Sequence, residues 1–178
     1  MFFMKICHVD GCTRNVVQDA DTCFEHLGNR EEYAQFIIPR ILEQDELKAI
    51  NLSGLTFTDV DFSGKKIHQS LFRNSTFTRV NFSGAIMRLV FFEFSRFTEC
   101  DFSGADINDT VFAGSVIGNC NFRDSELSRC NFLGAEIHDS CYSDSDLYSS
   151  RFIKATLDNV EFEDCNLKRT HFRDAVMK

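Results

Sequence analysis

Residues 80–104 read VNFSG-AIMRL-VFFEF-SRFTE-CDFSG, and this stretch decides the fold because a large apolar residue stands at the centre of each group of five. The same spacing holds from Leu52 to Met177: all 26 positions reached in steps of five are Phe, Leu, Ile, Met or Tyr, and 14 of them are Phe. No insertion interrupts the register. A period this regular predicts one small structural unit repeated many times.

The residues around each central position predict the local backbone. The residue two before it is usually small, as at Ala85 and Cys100, and the residue two after it is usually Gly, Asn or Asp, as at Gly84 and Asp124. Gly, Asn and Asp tolerate the positive φ of a tight turn. Each unit therefore predicts a short extended segment followed by a corner.

The segments Val80–Gly84 and Cys100–Gly104 fit a consensus of a small residue, Asn or Asp, Leu or Phe, and two polar residues. Over residues 50–178 the chain resembles the pentapeptide-repeat family. The resemblance implies an all-β solenoid, a right-handed quadrilateral β-helix with four repeats per coil. The 26 repeats then form about 6.5 coils, and stacked strands about 4.8 Å apart make a rod roughly 30 Å long.

A period of twenty residues supports four repeats per coil independently of the resemblance. Sorting the central residues by this period predicts two facing aromatic columns with an aliphatic column between them. The first column is Phe62, Phe82, Phe102, Phe122, Tyr142 and Phe162; the second is Phe72, Phe92, Phe112, Phe132, Phe152 and Phe172; the aliphatic column is Ile67, Met87, Ile107, Leu127, Leu147 and Leu167.

Residues 1–28 lie outside the period and carry Cys7, Cys12, Cys23 and His26, spaced C-x4-C-x10-C-x2-H. Three thiolates and an imidazole can complete a closed tetrahedral site, which is typical of structural zinc. A segment this short and this poor in apolar residues cannot build its own core, which favours a metal. The alternatives are three buried thiols with an unrelated histidine, or His8 in place of His26.

Residues 29–49 predict a helical cap. Asn29 with Glu32 fits a capping box, and Tyr33, Phe36, Ile37 and Ile41 recur at helical spacing. Pro39 should kink the helix or begin a second one that runs through Leu47. The apolar face of the helix can cover the first coil, whose core and strand edges are otherwise exposed.

Lys65 occupies a small inward position, where an unpaired buried ammonium is costly. We expect a local bulge there, or a side chain that extends outward.

Apolar residues at outward positions predict a partner-binding surface. Leu71, Phe91 and Val111 stack where polar residues are usual, Leu89 and Phe94 flank them, and Leu133 and Ile153 follow along the same wall. Contiguous exposed apolar surface tends to mark an interaction site. The alternative is that the N-terminal helix or a second copy covers it.

The repeat continues to Met177, so the last coil has no cap of its own in the sequence. Phe172 and Met177 then face solvent or another molecule, and a homodimer formed end to end through the C-terminal coil is the hypothesis.

Acidic residues predict a negatively charged side, which suggests a second function. They are Asp61, Asp101, Asp106, Asp124, Glu126, Asp144, Asp146, Glu161, Glu163 and Asp164. Some members of the family that the chain resembles are quinolone-resistance proteins that bind DNA gyrase as DNA mimics, so the resemblance implies gyrase or another DNA-binding protein as an alternative partner. Ordinary solvation is the competing interpretation, because the repeat region has a net charge of only −4 and no projecting loops.

The composition limits the remaining functions. A net charge of −8 argues against nonspecific binding to nucleic acid or to anionic membranes. With no signal peptide or membrane span in the sequence, the eight cysteines are expected to be thiols or metal ligands in a reducing cytoplasm. His68, His138, His171 and Cys141 fall at outward positions of unbroken repeats, where no cleft is expected, so we predict no enzyme activity.

Overall fold

The structure is a computed structural model that describes residues 5–178, and most of the chain forms a parallel β-solenoid of about seven turns. Residues twenty apart lie side by side in register, as Phe57 with Phe77 and Ile67 with Met87. The all-β four-sided solenoid predicted from the sequence is confirmed.

Each coil has four faces, which we number by their inward central residues. Face 1 contains Leu52 and every twentieth residue after it, face 2 contains Phe57, face 3 contains Phe62, and face 4 contains Leu47 and Ile67. The outward residues of a face are the two that flank each central residue and the corner residue that follows.

Faces 2 and 4 carry the regular strands. Face 4 is a four-stranded sheet of β1 (Glu46–Lys48), β3 (Lys66–His68), β5 (Ile86–Arg88) and β7 (Asp106–Asn108). Face 2 is a seven-stranded sheet of β2 (Thr56–Thr58), β4 (Thr76–Thr78), β6 (Arg96–Thr98), β8 (Val116–Gly118), β9 (Glu136–Cys141), β10 (Thr156–Glu161) and β11 (Val176–Met177). Faces 1 and 3 are joined mainly by single bridges, such as Phe91 with Val111 and Asp101 with Asn121.

The corner residue has a positive φ in every repeat from Ala49 to Asp174. The sequence predicted this conformation where the corner is Gly, Asn or Asp, but Leu89 (φ 56°) and Phe94 (φ 58°) adopt it too. The left-handed conformation costs a residue with a Cβ roughly 1–2 kcal/mol. Hydrogen bonds to the next coil and burial of the central residues outweigh this cost, so the winding is uniform.

The interior consists of stacked rings and aliphatic side chains, as the columns predicted. Phe112 is fully buried, and its ring centroid lies 5.2 Å from that of Phe92 and 5.0 Å from that of Phe132. Phe102 and Phe122 stack at 4.5 Å on the facing wall. Every coil therefore depends on the coils directly above and below it.

Tyr142 replaces phenylalanine in one aromatic column and leaves its hydroxyl inside the core. The ring stacks at 4.6 Å on Phe122, and the hydroxyl has no hydrogen-bond partner within residues 5–178. Burial raises the pKa of this phenol well above its usual value, so the group stays neutral and unpaired.

Tyr142→Phe should therefore stabilise the protein. An unsatisfied buried hydroxyl costs on the order of 1–3 kcal/mol, and the substitution removes it without changing the ring. Urea denaturation of the two proteins measures the difference. A lower stability in the phenylalanine variant would show that the hydroxyl is paired, for example with a buried water.

The N-terminal cap is a single helix, α1 (Arg30–Leu42), that covers the first coil. The Asn29 side chain accepts a hydrogen bond from the Glu32 backbone N–H at 3.1 Å, which confirms the predicted N-cap. Ile37 and Ile41 are buried against the first coil, and Tyr33 packs there in part. Phe36, predicted for the same face, is instead exposed beneath the Arg40 guanidinium.

The predicted second helix through Leu47 was wrong. α1 continues through Pro39 and ends at Leu42, and Leu47 belongs to β1, paired with Ile67. The reason is that Leu47 fills the first inward slot of face 4, so the solenoid begins one pentapeptide earlier than its most regular repeats indicated.

Lys65 extends outward, and its pentapeptide keeps the register of the others. Its ammonium donates hydrogen bonds at 2.8 Å to the carbonyls of Leu42 and Gln44, at the C-terminal end of α1. A cation at this end of a helix satisfies free carbonyls and interacts favourably with the helix dipole. Lys65 therefore fastens the cap to the solenoid.

At the other end of the solenoid, none of the elements in the described part of the chain covers the last coil. Leu157 is the last fully buried central residue, Phe162 and Phe172 are half-buried, and Met177 is 60% exposed. Within residues 5–178, none of the helices has the length and apolar character that crossing a bilayer requires.

Candidate metal centre and interaction face

The structure brings together the four predicted metal ligands. The donor atoms of Cys7, Cys12, Cys23 and His26 all lie within 4.8 Å of one another. The Nδ1 atom of His26 lies 3.3 Å from Cys7 Sγ and 3.5 Å from Cys23 Sγ, and Cys12 Sγ lies 3.8 Å from Cys23 Sγ.

These separations fit a tetrahedral ion. Metal–sulfur bonds of about 2.3 Å and metal–nitrogen bonds of about 2.0 Å place tetrahedral ligands roughly 3.5–3.8 Å apart. His8 is not part of the cluster, whose donor atoms come from Cys7, Cys12, Cys23 and His26; its Nδ1 atom lies 2.9 Å from the carbonyl of Asp21. The four residues could hold a metal ion.

The cysteines inside the solenoid differ from those of the cluster. Cys130 is fully buried, and burial raises the pKa of its thiol to about 12. Such a thiol stays protonated and serves as a small packing group. The sequence count of eight cysteines therefore separates into three candidate ligands and five residues of the repeats.

The segment that carries the cluster is anchored to the first coil. Gln18 N–H donates to the Asn51 carbonyl at 2.8 Å, and the Asn51 side-chain amide donates to the Val16 carbonyl at 2.8 Å. Phe24 packs so closely on Gly54 that a Cβ at that glycine would lie 2.2 Å from the ring. Residues 5–28 are therefore docked at the start of face 1.

The docked segment corrects the extent of the predicted partner surface. Leu71 is only 7% exposed, in the part of face 1 next to this segment. The segment, rather than α1, lies over this end of the face. The exposed surface therefore excludes Leu71 and begins with the next coil.

The other predicted partner residues reach the surface. Leu89 is 41% exposed and Phe94 is 69% exposed, while Phe91 and Val111 are half-buried. The Phe94 ring packs over Gly114, and the Arg73 guanidinium lies 5.2 Å from the centre of the Phe91 ring. Arg73 also bonds to Glu93 at 3.0 Å.

A groove of about 440 Å³ lies between the docked segment and face 1. Thr13, Arg14 and Phe24 line one wall, and Leu71 and Arg73 line the other. It opens beside the exposed apolar residues and forms one end of the same surface. The sequence could not predict it, because it depends on where the docked segment lies.

Charge differs sharply between opposite faces of the solenoid. The outward charges of face 3 are Asp61, Asp101, Asp124, Asp144, Glu161, Glu163 and Asp164 against Arg123. Those of face 1 are Arg73, Arg151, Lys154 and Arg173 against Glu93 and Asp174. The predicted acidic side is therefore face 3.

The remaining acidic residues of that prediction, Asp106, Glu126 and Asp146, lie on face 4 among basic residues. Asp106, for example, is paired with Arg88. The predicted acidic side therefore combined residues of faces 3 and 4, which point in different directions because a corner lies between them.

The three histidines and the cysteine at outward positions of the repeats do not come together. His68, His138 and His171 lie on three different faces, and Cys141 Sγ contacts Ser143 Oγ at 3.4 Å. His138 lies over Gly118 and beside Asp139.

Comparison with known proteins gives one family and several solved structures. Residues 85–172 match a family model described as the pentapeptide repeat region. No curated protein matches the chain. A pentapeptide repeat protein, Rfr23 from the cyanobacterium Cyanothece 51142, is 14% identical, with 82% of this chain and 100% of that chain covered and a TM-score of 0.48.

Two further structures are more distant. QnrB1, a plasmid-mediated fluoroquinolone resistance protein, is 16% identical over 75% of this chain and 84% of that one, with a TM-score of 0.27. HetL, a pentapeptide repeat protein involved in heterocyst differentiation regulation from Nostoc sp. strain PCC 7120, is 13% identical over 81% and 96%, with a TM-score of 0.19.

Proposed function

Because this chain belongs to the pentapeptide-repeat family, we propose that it acts as a non-catalytic protein–protein interaction scaffold whose partner surface is the exposed part of face 1 together with Leu89, at the corner between faces 4 and 1. The observation that carries the proposal is the pair of exposed apolar corner residues, Leu89 and Phe94.

These two residues are poor choices for the fold alone. A corner with positive φ favours Gly, Asn or Asp, and a large apolar side chain there adds conformational cost. Phe94 is mostly exposed, so the small part of its side chain that is buried offsets little of this conformational cost. Every corner of the solenoid has this backbone conformation, so it is the apolar side chains placed there that point to function, because exposed apolar surface marks binding surfaces.

Replacing Phe91 and Phe94 by Ser should remove partner binding while the protein remains folded. An affinity pull-down from cell extract, with the wild type and the double variant as baits, measures the loss. Truncating central apolar interface residues commonly costs more than 2 kcal/mol, so partner recovery should fall by more than about tenfold.

The matched control is the pair Asp124→Ser and Asp144→Ser on face 3, which should leave the captured partner unchanged. Thermal denaturation of both variants shows whether they fold. An unfolded Phe91/Phe94 variant would make these side chains part of the core, and a folded variant with full partner recovery would place the partner elsewhere.

We also propose that the ion held by Cys7, Cys12, Cys23 and His26 is zinc in a structural role. Four protein ligands complete the coordination of the ion and leave no position for a reactive water. The zinc would hold residues 5–28 in place against the first coil. The segment that carries the zinc would also recruit a second partner.

The acidic face supports the alternative that the protein mimics DNA and binds gyrase or another DNA-binding protein. Face 3 aligns Asp124, Asp144 and Asp164 at corners of successive coils, and carboxylates in ladders can imitate phosphates. Arg123 interrupts the pattern through a 3.2 Å bond to Glu161. Inhibition of gyrase supercoiling that is lost in the Asp124/Asp144 variant would favour this alternative over the scaffold on face 1.

Two further proposals concern assembly and location. The open C-terminal coil, with Phe172 and Met177 at its end, supports a homodimer formed end to end, and a monomer mass by sedimentation equilibrium at micromolar concentration would contradict it.

The free state of all eight cysteines supports a reducing cytoplasm, which fractionation of the source cells would test.

A further inference from the structure

We propose that face 1 binds an amphipathic α-helix of about three turns that is apolar along one side and acidic at both ends. The inference rests on the proposed scaffold function and names the chemistry of its partner.

The apolar residues of face 1 form a diagonal strip. Phe91 and Val111 stand before the central residues of their coils, whereas Leu133 and Ile153 stand after the central residues of the next two coils. Ala113, Gly114 and Gly134 lie beside them and carry no polar side chain. Leu133 is 44% exposed, and Val111 and Ile153 are half-buried, so the strip reaches solvent over four coils.

The spacing of this strip favours a helix over an extended strand. Coils repeat about every 4.8 Å, which is close to the 5.4 Å pitch of an α-helix. A helix can thus place about one apolar side chain per turn against each coil. An extended strand presents same-side residues about 6.6 Å apart, so it loses register with the coils after the first contact.

The length of the strip sets the length of the helix. Four coils span about 14 Å along the axis, and the two-residue shift across the face adds about 6.6 Å sideways. The diagonal is therefore about 16 Å, which corresponds to about eleven helical residues at 1.5 Å each.

Basic residues stand at both ends of the strip, on a protein whose net charge is −8. The C-terminal end carries Arg151, Lys154 and Arg173. The one ion pair that the described residues form there joins Arg173 to Asp174, at 3.8 Å. At the other end, Arg14 and Arg73 line the groove next to the docked segment. Arg73 forms an ion pair with Glu93, and Glu25, which also lines the groove, forms one with Arg30. Arg14 has no ion pair within residues 5–178. Carboxylates at both ends of the helix would complement this pattern.

The test is selection from a display library of stabilised helical peptides, with the full zinc-loaded chain as bait. The expected winners carry apolar residues at i, i+3 or i+4, and i+7, with Asp or Glu at both ends. Leu133→Glu should weaken a winning peptide about tenfold or more by fluorescence anisotropy. Ser128→Glu, at the equivalent position of face 4 in the same coil, should leave its affinity unchanged.

The outcomes separate this inference from the proposed function. The Phe91/Phe94 variant can lose its partner in the pull-down while the library gives no binder, or gives binders whose affinity Leu133→Glu does not change. That result would support the scaffold function and reject the helical partner. Winners without acidic ends, or an extended peptide that binds more tightly and competes on face 1, also overturn the inference. Association of the chain with itself that Leu133→Glu abolishes would assign the surface to a second copy instead.

Discussion

Phe112→Ala should lower the free energy of unfolding by about 3–5 kcal/mol, because it removes a fully buried ring and leaves a cavity. The neighbours of this ring cannot move in to fill the space. Phe92 and Phe132 are held by their own stacks, and Phe97, Phe102 and Phe122 contact the ring edge-on at centroid distances of 5.7–6.4 Å. Chemical denaturation of the purified variant gives the value.

Phe172→Ala is the matched control, since Phe172 occupies the same column at the open end and is only half-buried. It keeps the stack on Phe152 at 5.1 Å, and no further coil within the described residues packs on its other side. We expect this change to cost clearly less than Phe112→Ala. Equal losses at the two positions would mean that the last coil is covered, and no loss at Phe112 would refute its inward position.

Removing the metal should unfold the docked segment and spare most of the solenoid. Cys23→Ser takes away a buried ligand of the candidate zinc. Binding of structural zinc to small domains contributes roughly 10–16 kcal/mol, which a segment with little apolar core cannot replace. The variant should therefore contain no zinc by metal analysis and lose hydrogen-exchange protection at Cys7 and Val17 N–H, whose acceptors lie within the segment.

The amides of the central coils provide the internal control, since their acceptors belong to neighbouring coils, as in Phe112 N–H to the Asn131 carbonyl. Their protection should be unchanged. His8→Ser should keep its zinc, because the cluster of donor atoms does not include His8. Wild-type protein with no zinc and full protection in residues 5–28 would show that the four side chains pack without metal.

Much of this structure could be predicted from the sequence because the fixed repeat length determines which side chains point inward and which of them are neighbours. A central residue such as Phe92 has neighbours twenty residues away on either side, so counting alone identifies its contacts. The candidate metal cluster could be predicted for a similar reason, since Cys7, Cys12, Cys23 and His26 lie close together in a short segment.

The features that were not predicted depend on packing between segments that have no common period. Leu47 was assigned to a helix because Pro39 and the preceding apolar residues outweighed a single isolated match to the repeat. Leu71 was placed on the exposed surface because nothing in the order of residues shows that residues 5–28 fold back on face 1. The carbonyls of Leu42 and Gln44 that bind Lys65 become available only where α1 ends.

The chain winds once around the axis of the rod every twenty residues. The number of residues between two side chains therefore decides whether both lie on the same side of the rod. Deleting twenty residues between Val111 and Leu133 would shorten the rod by one coil and keep the distal residues on the same side. Deleting five would rotate everything beyond the cut by a quarter turn, so that Leu133 and Ile153 would leave the side occupied by Phe91. Natural variants of this protein should therefore differ in length by whole coils wherever one partner must reach both halves of the rod.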